Sequence, residues 1–308
     1  MPHSMRLPAI LRTCWVWAPA ACALLGIAMA AEPELRGAPM LDCSGLPCVE
    51  ATTSSGATVK MLVDTGNRRS VLDESTARKL GLELKPFVGR DGKVHPEYSA
   101  ATLRDLKIGS TSLGDVSVLV TSLGADIQKG DIPDADGQLS YSAFGPRLLR
   151  LDYRAHRLEI SEVLTQEVAC PRDCGTMTNP TFGKEGPAIV ATTGFRVNGR
   201  PLLVQIDTLY AGTLLVYPTS VDKLGLTTQQ KSKTTRKFAF TDGGVQMIQS
   251  HVASEGFGAL TLARNCPVYF ATPEVHVPDG MFDGTVGHEL FVGHVLTFDF
   301  YDHRFWES

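Results

Sequence analysis

Short apolar runs alternate with polar and glycine-containing turns along most of the chain, a pattern typical of β-strands. Residues 48–53 and 59–63 flank a Ser-Ser-Gly turn, and residues 189–193 and 202–206 flank Asn198-Gly199, a dipeptide that favours tight hairpins. Four more strands are predicted, at residues 103–108, 116–120, 260–262 and 268–270. Two short amphipathic stretches, residues 73–80 and 219–224, predict one short helix in each half. The pattern therefore predicts an all-β fold with short helices.

The two halves of the chain carry the same sequence pattern, which is the signature of an internal repeat. Residues 61–72, with Asp64, have a counterpart in residues 204–215, with Asp207, and both lead into Lys-Leu-Gly-Leu. From Asp136 and Asp283 onward the two copies keep a constant offset. The repeat predicts two similar lobes, residues 42–162 and 187–308, joined by a linker at residues 163–186.

The first residues have the order of a secretory signal peptide. Residues 1–30 contain Arg6 and Arg12 and no acidic residue, and an apolar stretch ends in Ala28-Met29-Ala30. We therefore expect cleavage near Ala30 and export to the periplasm or the medium, with no stable membrane span afterwards. The formal net charge of −4 provides no basic surface, so nucleic acid is not expected as a partner.

Export changes the interpretation of the cysteines, because disulfides form in oxidising compartments. Five remain after cleavage, namely Cys43, Cys48, Cys170, Cys174 and Cys266. The close spacing lets Cys43 with Cys48, and Cys170 with Cys174, close small loops, although spacing does not determine connectivity. A zinc site is the alternative, but the sequence lacks a matching pair of histidines. We expect no metal or cofactor.

The repeated aspartate suggests a specific chemistry. Asp64 and Asp207 each end an apolar strand and are each followed by threonine. Two carboxylates brought together share a proton, because two adjacent like charges do not both ionise easily. One then acts as a general base on a water molecule and the other as an acid toward a carbonyl group. Two similar lobes that each donate one aspartate would supply such a pair.

These motifs resemble those of the aspartic peptidases of the pepsin and retropepsin clan, most closely bacterial secreted retropepsin-like proteins with two lobes in one chain. The resemblance implies two retropepsin-like β-barrel lobes related by a pseudo-twofold axis, and a peptide or protein substrate. By position, Asp64 and Asp207 would be the catalytic pair, with Thr65, Gly66 and Thr208 supporting the cleft. Flaps would lie near residues 89–92 and 241–244. A monomer is expected rather than a dimer.

Each half departs from the family pattern at one position. Leu209 stands where the second motif has glycine and would place a side chain beside the carboxylates, and Ser140 replaces a glycine of the first half. Two alternatives therefore stay open: a catalytically inactive protein that binds a peptide or a partner, and a homodimer that pairs Asp64 from each chain. Arg68 and Arg69 are either solvated or select substrates by charge.

Overall fold

The computed structural model describes residues 37–89, 91–123, 134–162, 174–178, 190–225, 232–237, 244–257, 260–271 and 281–308. The strands of the first half are β1 (Ala38–Pro39), β2 (Leu41–Cys43), β3 (Leu46–Thr52), β4 (Thr58–Asp64), β5 (Ser70–Asp73), β6 (Lys85–Val88), β7 (Val94–Ile108), β8 (Thr111–Thr121), β9 (Gly137–Ser140), β10 (Arg147–Asp152) and β11 (Arg157–Glu162). Those of the second half are β12 (Gly175–Thr178), β13 (Ala191–Val197), β14 (Arg200–Asp207), β15 (Leu214–Val216), β16 (Ser232–Lys237), β17 (Gly244–Phe257), β18 (Leu260–Ala271), β19 (Gly284–Gly287), β20 (Val295–Asp299) and β21 (Arg304–Glu307).

In the part of the chain that the structure describes, helical structure is confined to short segments. The α-helices there are α1 (Glu74–Lys79) and α2 (Val221–Leu224), and 3-10 helices span Tyr141–Phe144, Pro218–Ser220 and His288–Phe291. Within the described ranges, no helix has the length and apolar character needed to cross a membrane. The predicted signal peptide, residues 1–30, lies outside the described residues.

Each half of the chain forms a closed six-stranded barrel. In the first the strand order is β3-β4-β9-β5-β8-β7, and β7 pairs again with β3. In the second the order is β13-β14-β19-β15-β18-β17, and β17 pairs again with β13. In both barrels the aspartate-bearing strand runs parallel to its partner, β4 beside β9 and β14 beside β19. The expected all-β fold with two similar barrel lobes is confirmed.

A shared sheet joins the two barrels. Its order is β1-β11-β10-β20-β21-β12, so three strands come from each half and β10 pairs antiparallel with β20 at its centre. Leu151 lies opposite Leu296 in this central pair, and both side chains are fully buried. β12 falls within the residues predicted as a linker, yet it pairs with both β13 and β21.

The local predictions can be compared with the observed elements. Both predicted hairpins are present, β3 with β4 and β13 with β14, and Asn198 and Gly199 turn the second with φ values of 50° and 77°. The two strands predicted at residues 260–262 and 268–270 are wrong, because they form the single strand β18. Asn265, with φ of 50°, bends the backbone inside β18, so its polar surroundings mark an irregularity and not a turn.

The predicted helices are confirmed with shifted bounds. Asp73, predicted inside the first helix, is instead the N-cap of α1, because its carboxylate accepts hydrogen bonds from the N–H groups of Ser75 and Thr76. The predicted helix at residues 219–224 divides into the 3-10 helix Pro218–Ser220 and α2.

The cysteines divide into bonded and free residues. Cys43 and Cys48 form a disulfide that joins β2 to β3, with their Cα atoms 6.0 Å apart. Cys174 is also disulfide-bonded, whereas Cys170 lies outside the described residues. Cys266 is a buried free thiol. The hairpin of β2 and β3 therefore carries a covalent link.

Candidate active site

The two aspartates lie at equivalent points of the two barrels. Asp64 is the last residue of β4 and is paired with Ser140 of β9. Asp207 is the last residue of β14 and is paired with Gly287 of β19. The three residues directly before each aspartate, residues 61–63 and 204–206, are buried and, apart from Gln205, apolar, which anchors the carboxylate at the barrel end. Asp64 is buried and Asp207 is half-buried.

Two threonines connect the loops that follow the aspartates. The N–H of Thr65 donates to Oγ1 of Thr208 at 3.1 Å, and the N–H of Thr208 donates to Oγ1 of Thr65 at 3.3 Å. The Thr65 hydroxyl donates to the carbonyl oxygen of Ile206 at 2.7 Å, and the Thr208 hydroxyl donates to that of Val63. All these groups are buried, so each loop satisfies polar groups of the other lobe.

Gly66 brings the two carboxylates close together. Its N–H donates to Oδ1 of Asp64 at 2.9 Å, and a Cβ atom at this position would lie 2.5 Å from Oδ2 of Asp207. The carboxylate of Asp207 thus lies against the loop that holds Asp64, and a larger residue at position 66 would displace it. The side-chain Nε2–H of Gln205, in the second lobe, donates a hydrogen bond to the carbonyl oxygen of Gly66 at 2.6 Å. This contact supports the loop that follows Asp64.

Burial and mutual repulsion shift the titration of the pair. Burial raises the pKa of Asp64 well above its usual value, and the charge of Asp207 raises it further. Burial also raises the pKa of Asp207, which the N–H groups of Leu209 and Tyr210 partly offset. Such a pair holds a shared proton more readily than two exposed carboxylates do.

Leu209 does not take up the position expected from the sequence. Its side chain is 7% exposed and belongs to a buried apolar cluster with five residues of the first lobe: Cys43, Leu46, Cys48, Leu62 and Ala135. Its N–H donates to Oδ1 of Asp207 at 2.9 Å, as the N–H of Gly66 does to Asp64. Leucine therefore keeps the backbone hydrogen bond of the motif, while its side chain packs against the other lobe.

Ser140 and Gly287, paired with the two aspartates, have different surroundings. A Cβ atom on Gly287 would overlap the carbonyl oxygens of Tyr210 and Gly212, so this position requires glycine. In the first lobe the Ser140 hydroxyl donates to the carbonyl oxygen of Arg68 at 2.8 Å and lies 3.2 Å from Oγ of Ser70. Serine at position 140 therefore holds the loop that follows Asp64.

Some supporting residues were missed by sequence reasoning. Ser70 lies inside the repeated segment of residues 61–72, but the sequence pattern assigns no role to it, to Gln205 or to Ser142. Gln205 is a buried polar residue inside an otherwise apolar strand, and that interruption was the available signal. Ser142 donates its hydroxyl to the Arg68 carbonyl oxygen at 2.5 Å, a contact for which the sequence contains no local indication.

The first predicted flap is a hairpin turn between β6 and β7. The N–H of Gly89 donates to the carbonyl oxygen of Lys93 at 2.8 Å, and Phe87 contacts the rings of His95 and Tyr98 beside the turn. The second predicted flap, at residues 241–244, lies outside the described residues except for Gly244, which begins β17.

Comparison with protein families provides one match. The sequence model of the family described as "Aspartyl protease" matches residues 49–142. The matched residues lie in the first lobe. This aspartyl protease match extends from β3 through Asp64 to the 3-10 helix after Ser140, and it covers less than half of the chain.

Two further comparisons accompany this match. No curated protein matches the chain. Among solved structures, the chain is similar to a retropepsin-like aspartic protease from Rickettsia conorii, with 20% sequence identity over 34% of this chain and 75% of that chain. The TM-score is 0.24.

Proposed function

We propose that the protein is an aspartic endopeptidase that hydrolyses peptide bonds with a water molecule activated by Asp64 and Asp207. The observation that carries this proposal is the reciprocal hydrogen bonding of Thr65 and Thr208, which holds the buried carboxylate of Asp64 close to the half-buried carboxylate of Asp207 from the other lobe. The aspartyl protease match of the first lobe supports the same chemistry.

The proposed reaction uses the proton that the pair shares. The ionised carboxylate takes a proton from water, and the water oxygen forms a bond to the carbonyl carbon of the peptide. The protonated carboxyl donates its proton to the carbonyl oxygen, which produces a neutral tetrahedral diol. As the C–N bond breaks, the carboxyl that took the proton of the water donates it to the leaving amine, and the other carboxylate takes a proton from one diol hydroxyl, whose oxygen becomes the carbonyl oxygen of the product acid. The second diol hydroxyl remains in the product acid. The pair ends with one proton, as it began.

We further propose that one chain supplies both carboxylates and that the protein works after export. The hydrogen bonds of Thr65 and Thr208 join two lobes of the same chain, which supports a monomer. The Cys43–Cys48 disulfide and the signal-like residues 1–30 support a periplasmic or secreted location. The substrate in this proposal is a peptide or protein.

The test is a cleavage assay on the chain that begins at residue 31. A diverse peptide pool is incubated from about pH 3 to 8, and the products are identified by mass spectrometry. The variants are Asp64→Asn and Asp207→Asn, with the exposed Asp302→Asn as the matched control. We expect cleavage by the wild type and the control, and at least about a thousandfold loss in both site variants.

The other outcomes contradict specific parts of the proposal. Loss in Asp64→Asn alone would favour a homodimer in which two copies of Asp64 act together. Absence of cleavage by a folded wild-type chain at every pH would favour a catalytically inactive protein that binds a peptide or partner. Equal loss in Asp302→Asn would show that the assay reports folding and not chemistry.

A further inference from the structure

The residue after Gly287 contacts the loop that follows Asp207. His288 begins the 3-10 helix His288–Phe291, directly after the glycine that pairs with Asp207, and it is 7% exposed. Its main-chain N–H donates to the carbonyl oxygen of Tyr210 at 3.1 Å, and its ring nitrogen Nδ1 lies 3.3 Å from the same oxygen. Because a carbonyl oxygen only accepts hydrogen bonds, Nδ1 carries the hydrogen of this contact.

Tyr210 connects this contact to the carboxylate of Asp207. The N–H of Tyr210 donates to Oδ1 of Asp207 at 3.2 Å and to the main-chain carbonyl oxygen of Asp207 at 3.1 Å. The backbone of Tyr210 is therefore held by His288 through its carbonyl group, and it holds Asp207 through its N–H. Rotation of this backbone would turn the N–H away from the carboxylate, and the contact with His288 opposes that rotation.

The two lobes hold their aspartate loops with different side chains. In the first lobe, the hydroxyl groups of Ser140 and Ser142 both donate to the carbonyl oxygen of Arg68. At the two equivalent positions of the repeat, the second lobe has glycine and glutamate, which carry no hydroxyl group. His288 lies between these two positions, and its ring supplies a side-chain donor to the loop of the second lobe.

The ring of His288 is also in contact with the first lobe. It faces the carbonyl oxygen of Gly45, at the turn between β2 and β3, and it lies within the electrostatic range of Asp42. The N–H of Gly45 donates to Oδ1 of Asp42 at 2.5 Å, and a disulfide closes the same hairpin. This cross-linked turn limits the movement of the ring away from the loop that follows Asp207.

The ring is a hydrogen-bond donor in both of its protonation states. Burial lowers the pKa of His288, whereas the carbonyl oxygens of Tyr210 and Gly45 and the charges of Glu289 and Asp42 act in the opposite direction. The neutral ring carries one N–H, which donates to Tyr210, and protonation adds a second N–H at the other nitrogen. The contact with Tyr210 is therefore available at acidic and at neutral pH.

We propose that His288 is a positioning residue for Asp207, because its ring fixes the carbonyl group of Tyr210 and thereby the N–H that binds the carboxylate. The inference deepens the proposed function and rests on it for the part that Asp207 plays in hydrolysis. His288 acts through Tyr210, with no contact to the substrate and no proton transfer of its own.

The first experiment varies the donor at position 288. His288→Asn keeps an N–H close to the position of Nδ1, His288→Gln moves the N–H toward the position of Nε2, and His288→Leu removes it. His251→Leu, at an exposed position of β17, is the matched control. The values of kcat and KM are measured with the peptides that the wild type cleaves, and circular dichroism verifies that each variant is folded.

The second experiment measures the carboxylate itself. In chains that also carry Asp64→Asn, the titration of Asp207 is followed by carbon-13 NMR of labelled aspartate carboxyl groups. The signal is assigned by its loss in Asp207→Asn. This measurement requires no cleavage, and removal of the first aspartate leaves Asp207 without a coupled partner.

We expect His288→Leu and His288→Gln to lower kcat about ten- to a hundredfold with little change in KM, because a displaced carboxylate affects the chemical step more than substrate binding. His288→Asn should regain most of this loss, and His251→Leu should change neither constant. The pKa of Asp207 should be higher in His288→Leu and His288→Gln than in His288→Asn, because the N–H of Tyr210 stabilises the ionised carboxylate.

Three results would overturn the proposal. They are an unchanged kcat in the folded Leu or Gln variant, a change in KM alone, and an equal pKa of Asp207 in the Asn and Gln variants. Because Gln is polar and similar in size to histidine, the comparison of Asn with Gln decides the question even where the Leu variant does not fold.

The two experiments distinguish this inference from the proposed function. A wild-type chain that does not cleave, while the pKa of Asp207 still depends on the donor at position 288, refutes the peptidase and leaves the contact through Tyr210 standing. A chain that cleaves equally well with histidine, glutamine or leucine at position 288 refutes the positioning role and leaves the peptidase standing.

Discussion

Replacing Leu209 by glycine would restore the family motif, and the structure predicts that this change destabilises the protein. The Leu209 side chain is 7% exposed within a cluster contributed by the first lobe. Truncation of a buried leucine to alanine costs about 2–5 kcal/mol, and this small cluster near the disulfide belongs at the lower end. Glycine in place of alanine lowers the free energy of unfolding by about a further 0.5–1 kcal/mol, because glycine gives the unfolded backbone more conformational freedom. Together these give a loss of about 3 kcal/mol in the free energy of unfolding.

The assay is thermal and urea unfolding of the oxidised chain that begins at residue 31. For a chain of this size, a loss of about 3 kcal/mol lowers Tm by roughly 6–12 °C. Leu209→Ala separates the side-chain contribution from the glycine contribution. Leu41→Ala is the matched control, because Leu41 lies in the β2–β3 hairpin against which Leu209 packs but is itself 36% exposed.

The same substitution also tests how the second loop is held. The N–H of residue 209 binds the carboxylate of Asp207, so a loop without the leucine anchor should hold that carboxylate less firmly. We therefore expect Leu209→Gly to lower kcat/KM with the peptides that the wild type cleaves. The reasoning is refuted if Leu209→Gly loses less than about 0.5 kcal/mol, the usual effect of a surface substitution, or if its kcat/KM rises.

Three further predictions concern the same region. Thr208→Val removes a buried hydroxyl that donates to the carbonyl oxygen of Val63, and should cost about 2 kcal/mol in urea unfolding. Asp64→Asn should stabilise the protein at neutral pH, because the pKa of Asp64 is raised in the native state and its ionisation therefore opposes folding. This penalty is absent below the unfolded pKa of about 3.9 and grows as the pH rises toward the native pKa. Its Tm gain should therefore be largest near pH 7 and vanish near pH 3. Replacing Cys43 and Cys48 together by serine should lower the free energy of unfolding by about 2 kcal/mol. In this variant, Leu209→Ala should cost less than it does in the wild type, because both changes loosen the same apolar cluster.

Each of these predictions has a result that would contradict it, and Thr208→Val also has a matched control. Thr58→Val, at the exposed start of β4, should change the free energy of unfolding by less than about 0.5 kcal/mol. A loss in Thr208→Val as small as that in Thr58→Val would contradict the importance of the buried hydrogen bond. A Tm gain in Asp64→Asn that is the same at both pH values would show that ionisation is not its cause. If the effects of Leu209→Ala and the double serine variant simply add, the disulfide and Leu209 are independent.

Much of the fold could be predicted from local patterns. The hairpins, the two short helices and the all-β class follow from alternation and turn residues, which depend on neighbours in the chain. β18 was divided in error, because Arg264 and Asn265 have the composition of a turn while their backbone remains in a strand. Among the described strands, β17 is the one that pairs with this irregular segment, and such pairing is not encoded within a short window.

The candidate site shows the same division between local and distant information. The repeated Asp-Thr motif was enough to select Asp64 and Asp207, because a carboxylate at the end of an apolar strand is a local feature that can be read twice. The motif does not indicate the direction of the Leu209 side chain, because the cluster that receives this side chain comes from residues more than seventy positions away in sequence. Similarly, Ser140 was interpreted as a lost glycine, whereas its hydroxyl supports the Arg68 backbone. Residue types and their order therefore predicted which groups meet, while packing between the lobes decided how a departure from the motif is accommodated.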